Sequence, residues 1–132
     1  MNSIEIVLRA TPVSQQARRR ENLQAWKDRI ASAARKASRS QFLSTSWGLS
    51  VTIVHYFEST TIDVDNLPKP ILDAMKGVFY LDDGQIQELI VQRHSLSEEF
   101  SIETASNVIR AELDRGGEFV YIRVTVPEET ER

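Results

Sequence analysis

The sequence predicts a mixed α/β (α+β) fold, in which a small sheet of about four strands packs against two or three helices. Four stretches are rich in β-branched residues or alternate polar and apolar side chains, as strands do. Stretches with apolar residues three and four apart lie between them, as expected for amphipathic helices. The resulting order, β-α-β-α-β-α-β, is typical of a mixed domain. The 132 residues suffice for one core, so one domain is predicted over residues 1–132.

The first strand is predicted at residues 3–10, where apolar side chains alternate with polar ones. A loop follows, in which Ser14 is a candidate N-cap. A long amphipathic helix is then predicted over residues 15–40, because its apolar positions recur at helical spacing. Those positions are Leu23, Trp26, Ile30, Ala33, Ala34 and Ala37.

A helix predicted at residues 66–80 carries two prolines, which a helix tolerates only in its first turn. Asn66 is its candidate N-cap. The other predicted elements are strands at 47–57, 85–94 and 118–126 and a helix at 104–113, which ends at Gly116 and Gly117.

Charge is distributed unevenly along the chain. Residues 1–40 hold nine Lys or Arg against three Asp or Glu, and residues 41–132 hold seven against sixteen. A basic stretch joined to an acidic remainder suggests a polyanionic partner. On charge alone, however, a basic helix whose charged face is simply solvated is the favoured interpretation.

Composition excludes several classes of protein. The chain has no cysteine, so it forms no disulfide or thiolate metal site, which fits a reducing compartment. No apolar run approaches the roughly 20 residues that span a bilayer. The N-terminus lacks the basic start and apolar block of a signal peptide. We therefore expect a cytoplasmic protein.

Acidic residues are concentrated in one segment, "DVDNLPKPILDAMKGVFYLDD", residues 63–83, which holds five of the chain's seven aspartates. Asp63 and Asp65 lie two apart in an extended stretch, so their side chains are about 7 Å apart on one side. Asp82 and Asp83 follow the predicted helix. We expect strand pairing to place Asp83 beside Asp63 and Asp65.

Carboxylates gathered in one place repel each other unless a cation holds them. A ligand set made only of oxygen suits Mg²⁺ first and Mn²⁺ next, and such an ion takes phosphate oxygens as further ligands. Lys69 lies four residues before Asp73, on one helix face, and can stabilise charge on a reacting phosphate or balance the carboxylates. The alternative is a strand end with helix caps, followed by an ordinary turn at "LDDGQ".

This pattern, "DVDNLPKPILD…GVFYLDD", resembles the RusA family of Holliday junction resolvases. The resemblance implies a RusA-like α/β fold, a homodimer and Mg²⁺-dependent incision of branched DNA, with Mn²⁺ as a substitute. It assigns the metal to Asp63, Asp65 and Asp83, with Asp82 beside them, and makes Lys69 the essential lysine. The loop after the first strand departs from the family, since "ATPVSQQARRR" replaces a Pro-Pro-Ser-x-Asn type.

We therefore predict an endodeoxyribonuclease of recombination and repair. Its catalytic residues would be Asp63, Asp65, Lys69 and Asp83, and its expected substrate is the Holliday junction, with flaps and other branched DNA as alternatives. The basic residues predicted to hold the DNA backbone are Arg18, Arg19, Arg20, Lys27 and Arg35. Two other classes remain open: a non-catalytic nucleic-acid or protein-binding module with this fold, and a cation-binding domain that does not bind nucleic acid.

Overall fold

The structure, a computed structural model, describes residues 2–38, 47–59, 62–97 and 106–127. Within these ranges it contains four strands and three α-helices, which confirms the predicted fold class. The strands are β1 (Asn2–Leu8), β2 (Leu49–Phe57), β3 (Ile86–Ser95) and β4 (Phe119–Val126). The helices are α1 (Arg20–Ser38), α2 (Pro68–Met75) and α3 (Asn107–Arg115).

The four strands form one mixed sheet in the order β1-β4-β2-β3. The strand β4 pairs antiparallel with both β1 and β2, whereas β2 and β3 run parallel. Parallel neighbours cannot be joined by a tight turn, because the chain must return to the starting end of the sheet. The connection from β2 to β3 is therefore a crossover, and it contains α2 and the acidic segment.

Both faces of the sheet are covered by helices. On one face, α1 and α2 enclose the larger core, in which Ile30, Ile53, Ile71 and Ile122 are fully buried. On the other face, α3 packs through Ile109 and its neighbours against aromatic side chains of β2 and β4. The crossover therefore lies on the same face as the basic helix α1.

The first helix is shorter than the predicted 15–40, since α1 begins only at Arg20. The reason lies in Ser14, which forms a turn instead of capping the helix. Its hydroxyl oxygen accepts from the backbone N–H of Gln16, and its carbonyl oxygen accepts from that of Ala17. At the other end, residues 39 and 40 lie outside the described ranges.

The second helix is also shorter than the predicted 66–80. The helix α2 ends at Met75 because Lys76 is extended and Gly77 adopts a positive φ of 89°, which ends helical geometry. The predicted cap at Asn66 is wrong, since Leu67 holds the N-cap position and no side chain caps the helix. The prolines do occupy the first turn, as predicted.

The third helix ends as predicted. The N–H of Ile109 donates to the Ser106 hydroxyl at its start, and Gly116 terminates it with a φ of 76°. Residues 104 and 105, which the sequence assigned to this helix, lie outside the described part of the chain.

None of the helices in the described ranges is both long and apolar enough to cross a membrane.

All three tyrosines of the chain are held in their neutral form by the fold. Burial raises the pKa of Tyr56 and of Tyr80. Burial also raises the pKa of Tyr121 to about 12, and the hydrogen bond that the Tyr121 hydroxyl donates to Glu5 adds to this increase. Because these pKa values lie above those of the unfolded chain, the tyrosines stabilise the fold fully below pH 10. That stabilisation is lost as the pH rises from about 10 through the raised pKa values, and for Tyr121 it is lost by about pH 12.

We therefore expect little tyrosinate absorbance at pH 10, where a free tyrosine is about half ionised, and a joint rise of tyrosinate absorbance and loss of circular dichroism at higher pH. Full ionisation of all three tyrosines at pH 10 in a protein with native circular dichroism would contradict this explanation.

Candidate active site

The crossover between β2 and β3 is anchored at both ends of the sheet. After β2, the guanidinium of Arg93 in β3 donates to the carbonyl oxygen of Ile62 at 3.2 Å. Before β3, the N–H of Gly48 donates to the carbonyl oxygen of Gln85 at 3.0 Å. The acidic segment between these anchors is thereby held against the sheet, as a site for chemistry requires.

Asp63 and Asp65 lie in a turn directly before α2. The turn is closed by the N–H of Asn66, which donates to the carbonyl oxygen of Asp63 at 2.9 Å. Both aspartates are exposed, and neither carboxylate has a hydrogen bond or ion pair within the described part of the chain. Two carboxylates without partners are therefore available to a ligand from solvent.

Lys69 is exposed on the first turn of α2 and contacts Asp73 as predicted, with 2.9 Å between Nζ and Oδ1. The other oxygen of Asp73 lies 3.6 Å from Nζ of Lys27 on α1. The hydrogen bond to Asp73 raises the pKa of Lys69, and the charges of Asp73 and Asp83 add to this increase. Lys69 is therefore cationic at neutral pH and held in place by α2.

Asp82 and Asp83 lie in the turn that leads into β3. The Asp82 carboxylate accepts from the N–H of Gly84 at 2.8 Å and from the backbone N–H of Gln85, and the Gln85 side chain accepts in return from the N–H of Asp82 at 3.0 Å. This reciprocal pair is a capping box for a 3₁₀ turn at Asp83–Gln85. Asp83 is exposed, with Oδ2 4.0 Å from Nζ of Lys76.

Strand pairing does not bring the two halves of the acidic segment together, contrary to the expectation. Because β2 and β3 are parallel and Leu49 pairs with Ile86, Asp83 lies near the start of β2, whereas Asp63 follows its end. No three His, Cys, Asp or Glu side chains of the described residues form a group that could hold a metal ion. Asp63 and Asp65 therefore form no metal-holding group with Asp83 among the described residues, although the charge of Asp83 does act on Lys69.

The predicted DNA-binding residues fall into two groups. Arg18, Arg19, Arg20 and Arg35 are exposed, with the first two in the loop before α1 and not on the helix. Lys27 is partly buried and directed to Asp73, so it connects the basic helix to the acidic segment.

Two residues that support the site were not predicted. Gln85, only 3% exposed, organises the turn that holds Asp82 and Asp83. Its signal was present in the sequence, since Asp82 followed three residues later by Gln85 is a capping-box pattern. Arg93 holds the start of the acidic segment through Ile62, but the sequence gives no sign of a contact across 31 positions.

A comparison with protein families finds that the model described as Endodeoxyribonuclease RusA matches residues 8–105, more than half of the chain. The chain belongs to the RusA family of endodeoxyribonucleases. The match includes β2, β3 and the whole acidic segment between them. The predicted resemblance is therefore confirmed.

Membership of the RusA family implies a nuclease that acts on DNA at Holliday junctions, and RusA-family nucleases generally depend on Mg²⁺. A comparison with curated proteins finds no match to this RusA-family chain.

Replacing Asp73 with alanine removes the hydrogen bond and most of the negative charge beside Lys69. We expect the pKa of Lys69 to fall towards its ordinary value of about 10.4, because the protonated amine loses its main stabilising partner. A pH titration of the Lys69 side-chain resonance by heteronuclear NMR measures this change. The matched control is Asp114→Ala on α3, because Asp114 is exposed and has no lysine partner among the described residues. An equal fall of the Lys69 pKa in both variants would contradict the role given to Asp73.

Proposed function

We propose that this RusA-family protein is a Mg²⁺-dependent endodeoxyribonuclease that incises branched DNA, with the four-way junction as its substrate in recombination and repair. The observation that carries the proposal is the exposed pair Asp63 and Asp65. The pair has no protein partner in the described residues, and Asp65 lies four residues before the cationic Lys69. The family match, which covers this segment, points to the same reaction.

The residues fit a magnesium ion held by Asp63 and Asp65. Mg²⁺ prefers oxygen ligands and commonly binds through one or two carboxylates, with water and substrate phosphates as the remaining ligands. Two exposed carboxylates without partners satisfy that requirement. Asp83, which forms no group with them, is proposed as the site of a second ion. When bound, the metal supplies an activated water and charge stabilisation for phosphodiester hydrolysis.

Lys69 is the proposed electrostatic catalyst. A phosphodiester gains negative charge in the transition state, and a fixed cation beside it lowers the barrier. The contact with Asp73 keeps the ammonium protonated and oriented, while about half of the side chain stays exposed to substrate. Asp82 is proposed as a further ligand or a base, although one of its oxygens already accepts from Gly84.

The basic residues around the start of α1 would bind DNA through its phosphates. Arg18, Arg19 and Arg20 lie together at the start of α1 and have no ion pair in the described part of the chain, so their charges are available. Arg35 would extend this surface along the helix, and Lys27 would connect it to Asp73. Such contacts supply affinity that is independent of sequence and sensitive to salt.

A homodimer is part of the proposal, because paired incision of a four-way junction needs two symmetric sites. The strand β3 is a sheet edge and exposes Leu89 and Ile90, at 41% and 38%. An exposed apolar edge strand favours pairing with another chain, which makes β3 the proposed contact between the two copies.

Changing Asp65 to asparagine keeps the side-chain shape but removes the charge that would bind Mg²⁺. We expect cleavage of a labelled four-way junction to fall by about 100-fold or more, while junction affinity changes by less than about twofold. Asp114→Asn is the matched control and should cleave normally. Equal nicking by Asp65→Asn and wild type would refute the metal assignment.

Reversing the charges at Arg18, Arg19 and Arg20 tests the DNA-binding surface. We expect junction binding to weaken, and the slope of log affinity against log salt to flatten by about 0.9 for each phosphate that the protein no longer neutralises. Glutamate at Lys36, Arg110 and Arg115 together, three exposed positions outside this surface, is the control with the same change of net charge. If the triple variant matches that control in both affinity and slope, the arginines are only a solvated face.

A further inference from the structure

A cavity of about 590 Å³ lies between the loop before α1, the helix itself and the start of the acidic segment. Its apolar wall includes Pro12, Val13, Trp26 and Ile62. The volume is within the roughly 300–1,000 Å³ that small-molecule sites occupy. The cavity can therefore hold a ligand about the size of one nucleotide.

The cavity adjoins the proposed catalytic carboxylates. Ile62, in its wall, directly precedes Asp63 in the chain. The loop on the opposite side is tied to the same turn, since the N–H of Gln15 donates to the carbonyl oxygen of Asn66 at 3.1 Å. A group that fills the cavity is consequently a close neighbour of whatever binds Asp63 and Asp65.

The polar lining selects an anion. Arg18, Arg19 and Arg29 belong to the lining, so three cationic residues border the cavity, and no Asp or Glu belongs to it. Arg29 donates one hydrogen bond to the carbonyl oxygen of Arg9 at 3.3 Å and retains further N–H groups for a ligand.

Trp26 supplies the aromatic part of the cavity wall. Its side chain belongs to the lining and is 4% exposed. Aromatic side chains at such walls stack with bases, because every base has a π-face. The indole Nε1–H is buried without a hydrogen-bond partner among the described residues, so a ligand would contact the ring and not this N–H.

We propose that the cavity receives one unpaired nucleotide of the branched DNA strand beside the scissile phosphate. The base packs on the apolar wall, which includes the ring of Trp26, and the flanking phosphate binds the three arginines. A duplex keeps its bases stacked and paired, so only an unpaired or extruded base can present its face to the apolar wall. The inference rests on the proposed function and narrows its substrate to junctions with an unpaired or openable nucleotide.

The test uses the intrinsic fluorescence of Trp26. The chain has two tryptophans, so the full-length Trp47→Phe protein reports on Trp26 alone. It is titrated in EDTA, where no cleavage can occur, with single-stranded oligothymidylate, with a four-way junction carrying one unpaired thymidine, with linear duplex and with free dTMP. We expect saturable quenching by the first two ligands and none by the duplex at matched phosphate concentration.

Two further variants, made in the Trp47→Phe protein, test whether the ligand that quenches Trp26 binds in the cavity. Ala17→Leu narrows the cavity and Arg29→Gln removes one cation, and each should weaken quenching by oligothymidylate about tenfold. Ala111→Leu on α3 and Lys36→Gln on α1, both exposed and outside the lining, are the matched controls and should bind normally. Thermal unfolding of each variant verifies its fold, and Arg29→Gln keeps the test valid if Ala17→Leu does not fold.

Equal quenching by duplex and by single strand, or unchanged binding by both lining variants, would overturn the proposal. Quenching by free dTMP without quenching by oligothymidylate would overturn the assignment to a DNA strand. None of these titrations contains Mg²⁺, so they test nucleotide binding separately from cleavage. If the protein binds as expected here but does not cleave junctions, the proposed nuclease activity is refuted and the proposed nucleotide site is kept.

Discussion

The parallel pairing of β2 with β3 is the constraint on which the rest of the structure depends. It forces the chain to cross from the end of one strand to the start of the next, and α2 with its flanking turns makes that crossing. Arg93 and Gly48 fasten the two ends of the connection to the sheet. The acidic segment is therefore a structured crossover packed beside the basic helix α1, and not a surface loop.

The crossover explains how five aspartates can occupy 21 residues without destabilising the fold. Asp73 is neutralised between Lys69 and Lys27, Asp82 caps a turn, and Asp83 faces Lys76. Only Asp63 and Asp65 are left without partners among the described residues. The carboxylates that stabilise the crossover are therefore different residues from the pair that is free to bind a cation.

Local patterns predicted the strands, the contact between Lys69 and Asp73 and the end of α3, because those features depend on residues close in sequence. The errors also have local causes: Ser14 forms a turn, and Gly77 ends α2 early. What sequence alone did not predict is which strand ends meet. The parallel register and the contact from Arg93 to Ile62 join distant positions, so the separation of Asp83 from Asp63 became visible only in three dimensions.

Binding of a divalent cation by the turn before α2 is the central claim, and paramagnetic broadening by Mn²⁺ measures it most directly. Amide resonances of residues 63–66 should broaden at Mn²⁺ concentrations that leave α3 sharp, although α3 carries Glu112 and Asp114. The effect should disappear in Asp65→Asn. Broadening that is equal in both regions, or that survives this substitution unchanged, would contradict a cation site at Asp63 and Asp65.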